Sequence, residues 1–201
     1  LDKALHLIRH KYPDVIISVD TFRSDVARHV VRDYGVEIIN DISGGSLDPA
    51  MFETIADLGV CYVLMHMRAT PQDMQHHTDY DDIMAELLHY FQKKLAQLRI
   101  LGVNDVIIDP GFGFAKTLEQ NYQLLAKMHY LTELHVPILA GVSRKSMLYN
   151  LLGIKPEDAL NASTAVHMLA LQQGARVLRV HDVKPAIETI KIFNQYNPNK
   201  I

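Results

Sequence analysis

Six short apolar runs recur along the chain, and each closes on polar residues. They are Val15–Thr21 (VIISVDT), Glu37–Ile42 (EIINDI), Tyr62–Met67 (YVLMHM), Val106–Gly111 (VIIDPG), Pro137–Arg144 (PILAGVSR) and Val177–Asp182 (VLRVHD). Continuous apolar runs of this length predict strands buried on both faces. Between them the apolar spacing is helical. Val26, Val30 and Tyr34 step by four; Ile83, Leu87, Leu95 and Leu98 mark a long helix across Asp79–Leu101; Ala162, Val166, Leu169 and Ala170 mark another, and Ile187, Ile190 and Phe193 the last. The opening LDKALHLIRHKYPD has helical spacing at Leu1, Leu5 and Ile8 and stops at Pro13.

End signals agree with this reading. Asp48 and Pro49 read as an N-cap and first helical residue, and Thr117 with Gln120 as a capping box. Gly35, Gly59, Gly102 and Gly174 stand where helices should end. Strand followed by helix, repeated six times, predicts a parallel sheet with right-handed crossovers. With no linker, low-complexity tract or charge run, residues 1–201 read as one domain. The segment Arg68–Thr78 is the most loop-like stretch.

Two α/β architectures fit, an open doubly wound sheet and a (β/α)8 barrel. The polar residues decide for the barrel. Nearly every run carries one at its carboxyl end: Asp20, Asn40, His66, Asp109, Lys145 just past the fifth run, and Arg179 with His181. An open sheet gathers ligand residues mainly at one switch point, whereas a barrel gathers them from all its strands onto one face. A complete barrel has eight strands and this sequence shows six, so two βα units are expected to precede Leu1, which itself lies within a helical pattern.

Composition adds bounds rather than a function. With 48% hydrophobic and 21% charged residues, the chain has the makeup of a globular domain. A net charge of −3 gives no pull toward nucleic acid or an anionic membrane. Cys61, the single cysteine, can form no internal disulfide and reads as a small core residue, in keeping with a reducing, cytoplasmic setting. No apolar run approaches the ~20 residues of a membrane span.

The candidate chemistry lies at the strand ends. Arg179 and His181 are two apart, so in a strand they share a face, while Leu178 and Val180 face the other way. Together they make an anion site, the guanidinium fork fitting phosphate; the plainer alternative is a salt-bridged Arg beside a packing His. Lys145 in SRKS can put its ammonium into a barrel mouth, or the turn can simply be solvated. Gly141 would let a planar ligand lie against the backbone. Asp20 and Asp109 could act as an acid/base pair or accept hydrogen bonds from a donor-rich heterocycle. Asn40, with a donor and an acceptor, suits the second use. N-cap duty is the plain alternative for Asp20, and a turn-capping carboxylate for Asp109.

Other motifs fail. GFGFAKT has Ala115 where a phosphate loop needs glycine before the lysine, and the dinucleotide fingerprint is broken by Lys116. No zinc spacing occurs. His76 and His77 read as solvated loop residues, and Met65 and Met67 as packing that could also wall a flat ligand.

In order and spacing, ISVDT (17–21), INDISGG (39–45), LMHM (64–67), IDPGFGF (108–114), GVSRKS (141–146) and RVHDV (179–183) resemble the motifs of dihydropteroate synthases. These are (β/α)8 barrels that join (7,8-dihydropterin-6-yl)methyl diphosphate to 4-aminobenzoate and release diphosphate. The resemblance implies pterin contacts from Asp20, Asn40, Asp109 and Lys145, with Met65 and Gly141 as walls. It implies an aminobenzoate neighbourhood of Phe114, Lys145, Ser146 and Arg179, and a diphosphate site of Arg179 and His181. Asp109, Lys145, Arg179 and His181 are the implied catalytic set. The resemblance also implies Mg²⁺, held by an Asn in a preceding loop, and a homodimer through the late helices. Two alternatives stand beside it: a methyltetrahydrofolate–corrinoid methyltransferase, which would share Asp20, Asn40 and Asp109 but not need the SRKS and RVH set, and a non-catalytic pterin-binding module.

Overall fold

The computed structural model describes residues 1–68 and 78–197. Among them, six strands alternate with eight α-helices. The strands are β1 (Ser18–Asp20), β2 (Ile38–Asp41), β3 (Cys61–Met65), β4 (Val106–Asp109), β5 (Leu139–Ala140) and β6 (Val177–Leu178). The helices are α1 (Asp2–Lys11), α2 (Ser24–Tyr34), α3 (Met51–Leu58), α4 (Ile83–Ile100), α5 (Leu118–Lys127), α6 (Ser146–Leu152), α7 (Leu160–Gln172) and α8 (Val183–Tyr196). His76 and His77, and most of the expected loop Arg68–Thr78, lie outside the described residues.

The chain forms two compact units. The first comprises Leu1–His66 and Phe91–Ile107, the second the described residues of Met67–Tyr90 and Ile108–Ile201. In the first, β1, β2 and β3 pair in parallel, Ser18 opposite Ile38 and Ile38 opposite Cys61, and Tyr62 N–H reaches Asp105 O at 2.9 Å where β4 begins. In the second, Ile108 bridges Ile138 in parallel, and β5 pairs with β6 in parallel, Leu139 opposite Val177.

Each strand is shorter than its apolar run. The fifth run predicts Pro137–Arg144, but pairing ends at Ala140; the sixth predicts Val177–Asp182, but pairing ends at Leu178. Beyond these points, side chains take over the backbone groups: His181 N–H donates to Ser143 Oγ at 3.2 Å. Arg179 and His181 are therefore not strand neighbours, and Val180 lines the same cavity as both rather than packing away from it.

Helix ends follow the local chemistry. The capping box at Thr117 forms as expected, with Gln120 N–H donating to Thr117 Oγ1 and Thr117 N–H to Gln120 Oε1. Gly35 and Gly59 take the left-handed conformation that closes α2 and α3. The Asp48–Pro49 start is corrected, since α3 begins at Met51. Asp48 instead accepts from Ala50 N–H and, at 2.7 Å, from Ser24 N–H at the start of α2.

The core is built from the expected faces of α4, where Ile83, Leu87, Leu95 and Leu98 are all buried. On α7 and α8 the buried stripes differ from the expected ones: Ser163, Val166, His167 and Ala170 on α7, and Ala186, Thr189 and Phe193 on α8, while Leu169 and Ile187 are exposed. Both helices carry apolar residues on more than one face, so periodicity alone does not select the inward one.

Candidate active site

In the second unit a cavity of about 330 Å³ opens at the carboxyl ends of β4, β5 and β6. Asp109, Phe114, Gly141, Lys145, Arg179 and His181 all line it, together with Phe112, Ser143, Arg144 and Val180. Its volume is at the lower end of the range that holds small organic ligands.

Asp109 closes β4 and is 4% exposed. Its Oδ1 accepts from Gly111 N–H at 2.8 Å. Burial pushes its carboxyl above the usual range, opposed by that amide and by the charges of Lys145, Arg179 and Lys116. Burial likewise lowers the Lys145 ammonium, while Asp109 supports its charge and Arg179 opposes it. Lys145 Nζ also stands 4.5 Å from the centroid of the Phe114 ring, a cation–π distance. The site thus pairs a buried acceptor with a cation and an aromatic wall.

At Gly141 an added Cβ would meet only ordinary contacts, Asp109 Oδ2 at 3.9 Å being the nearest. The protein leaves room there, as a ligand lying on the backbone requires. His181 Nδ1 lies 3.1 Å from Ser143 Oγ, so Ser143 orients the imidazole. Arg179 N–H still donates to Ala140 O at 3.1 Å, which fixes its Cα although its residue lies past β6. A second arginine beside the cavity is salt-bridged. Arg144 donates to both carboxylate oxygens of Asp182, at 2.8 and 3.0 Å, and this pairing holds the Asp182 carboxyl below its usual range. Ser146 does not line the main cavity; it lines a smaller one of about 150 Å³ with Gly113, Lys116 and Asn121.

The remaining predicted residues lie in the first unit. Asp20 is not the N-cap of α2, which is Arg23; its Oδ1 accepts from Asn40 Nδ2 at 2.6 Å. Asn40 Oδ1 is buried with no hydrogen-bond partner among the described residues, an acceptor left for a ligand. Met65 is buried. Cys61 opens β3, and burial pushes its thiol up to about 12, as fits a packing residue.

Sequence reasoning missed several supports. Asp41 is fully buried and accepts from Ser43 N–H, Ser43 Oγ, Gly45 N–H and Tyr62 Oη, all within 2.7–2.8 Å. Its signal was an Asp just before a Ser-Gly-Gly turn. Lys116 is also buried, and it was set aside only as part of a failed phosphate loop.

Residues 1–181 match the family described as pterin binding enzyme. The chain belongs to the pterin binding enzyme family. It is 40% identical over 181 residues to the dihydropteroate synthase of Escherichia coli (strain K12), a match covering 89% of this chain and 64% of that protein. This chain thus spans under two thirds of that relative's length. Among solved structures, the Yersinia pestis dihydropteroate synthase in a sulfonamide drug complex superposes with a TM-score of 0.92 at 36% identity, covering 98% of this chain and 71% of that one. The Thermus thermophilus dihydropteroate synthase in complex with 4-aminobenzoate gives 0.86 at 36% identity, covering 90% and 70%. This likeness bears out the α/β barrel fold expected for a member of the pterin binding enzyme family.

Proposed function

We propose that the full-length protein is a dihydropteroate synthase, condensing (7,8-dihydropterin-6-yl)methyl diphosphate with 4-aminobenzoate and releasing diphosphate. The observation that carries this reading is the cavity that joins the buried Asp109 to Lys145, Arg179 and His181. A pterin edge offers amide and amino donors, which a buried carboxylate such as Asp109 accepts. Gly141 leaves room for the ring, and Phe114, Lys145 and Arg179 form the aminobenzoate side.

The C–O bond to diphosphate breaks first, and the electron-rich dihydropterin carries the resulting methylene cation. The Asp109 carboxylate holds the ring and favours the positive charge that develops there. Arg179 and His181 stabilise the departing diphosphate. The aniline nitrogen then forms the C–N bond and gives up a proton. No covalent enzyme intermediate is required. Mg²⁺ belongs to the same proposal, where it would neutralise charge on the diphosphate; among the described residues no group of three or more His, Cys, Asp or Glu gathers that could hold it. A cytoplasmic setting and a homodimer through the exposed apolar faces of α7 and α8 belong to the same proposal.

Isothermal titration with a pterin, followed by a diphosphate-release assay, tests it. Binding with turnover supports the synthase. Pterin binding without diphosphate release would instead identify a non-catalytic module.

A further inference from the structure

Lys116 is 4% exposed, although a desolvated ammonium is costly and an apolar side chain of similar length would fill its space. Its Nζ donates to Gly111 O and to Phe114 O, both at 3.0 Å. The turn it fills carries three left-handed residues, Gly111, Gly113 and the non-glycine Ala115 at φ 49°, a conformation that needs support from its surroundings. The same turn joins two groups of the site. Gly111 N–H holds Asp109, and the Phe114 ring stands beneath Lys145. Asn121 secures the outer side, accepting from Gly113 N–H and donating to Thr117 O.

We propose that Lys116 is a positioning residue for the aminobenzoate side of the site: from inside the turn it holds the Gly111 and Phe114 carbonyls, and so fixes where the Phe114 ring stands. The inference rests on the synthase reading above. The charged groups around the ammonium are Asp109 and Glu86, which favour its charge, and Arg68 and Lys145, which oppose it; with burial they bring its pKa to about 7. A neutral amine keeps two N–H donors, so the two carbonyl bonds persist on either side of that value.

The test compares wild type, Lys116→Met, Lys116→Gln and Phe114→Ala in the full-length protein, by steady-state kinetics with both substrates and by pterin titration. Lys116→Met is expected to raise KM for aminobenzoate about ten- to hundredfold while leaving pterin affinity within about threefold. Lys116→Gln, which keeps a donor, should recover most of that loss, and Phe114→Ala should reproduce it. An unchanged aminobenzoate KM in Lys116→Met or in Phe114→Ala overturns the inference while leaving the synthase reading intact. Equal losses for both substrates show a structural role only. A wild-type protein that binds neither substrate removes both readings together.

Discussion

At the scale of single residues, Asp109 and Arg179 separate binding from chemistry. Asp109 is a buried carboxylate whose pKa lies above its usual range. A raised folded-state pKa means that stability is present below the unfolded value and lost as pH rises through the folded one. At neutral pH this group therefore opposes folding of the ligand-free protein. Asp109→Asn keeps an acceptor for Gly111 N–H but cannot ionise. It should abolish pterin binding by titration and stabilise the empty protein by about 1 kcal/mol, ~2–4 °C in a melting scan; retained affinity would remove Asp109 from the site. Arg179→Ala should lower use of the diphosphate substrate about a hundredfold with bare pterin affinity little changed. Equal losses in the two assays would argue against its anion role. Asp109, Lys145, Arg179 and His181 were all legible in the sequence because each is a polar residue closing an apolar run. Arg144 and Lys116 were not, because a bidentate ion pair and a buried ammonium depend on partners distant in sequence or folded back within a turn.

At the scale of elements, local chemistry predicts ends better than faces. The Thr117 capping box follows from residues three apart and formed as read. Thr117→Ala should cost about 1 kcal/mol, seen as a lower denaturation midpoint. The Asp48–Pro49 start failed because Asp48 is taken by a neighbouring helix, α2, through Ser24 N–H. The strand ends past Ala140 and Leu178 were overrun because apolar character continues where pairing does not. The faces of α7 and α8 were misread because both helices have apolar residues to spare, and Val183, Ile187, Ile192 and Tyr196 remain exposed.

At the scale of the whole molecule, the alternation of strand and helix was enough to predict a parallel α/β fold, and the spread of polar strand ends to favour a barrel. Stability should carry the mark of its buried lysine. With the Lys116 pKa lowered to about 7, the unfolded chain binds more protons between that value and the ordinary lysine range, so this group makes stability rise with pH across that window. Lys116→Met should flatten the rise in chemical denaturation at pH 7 and pH 9. The central claim is tested most directly by diphosphate release from the full-length protein supplied with dihydropterin diphosphate and 4-aminobenzoate. The account predicts stoichiometric diphosphate and dihydropteroate, with turnover falling about a hundredfold in Arg179→Ala. Pterin binding without any diphosphate release would contradict it.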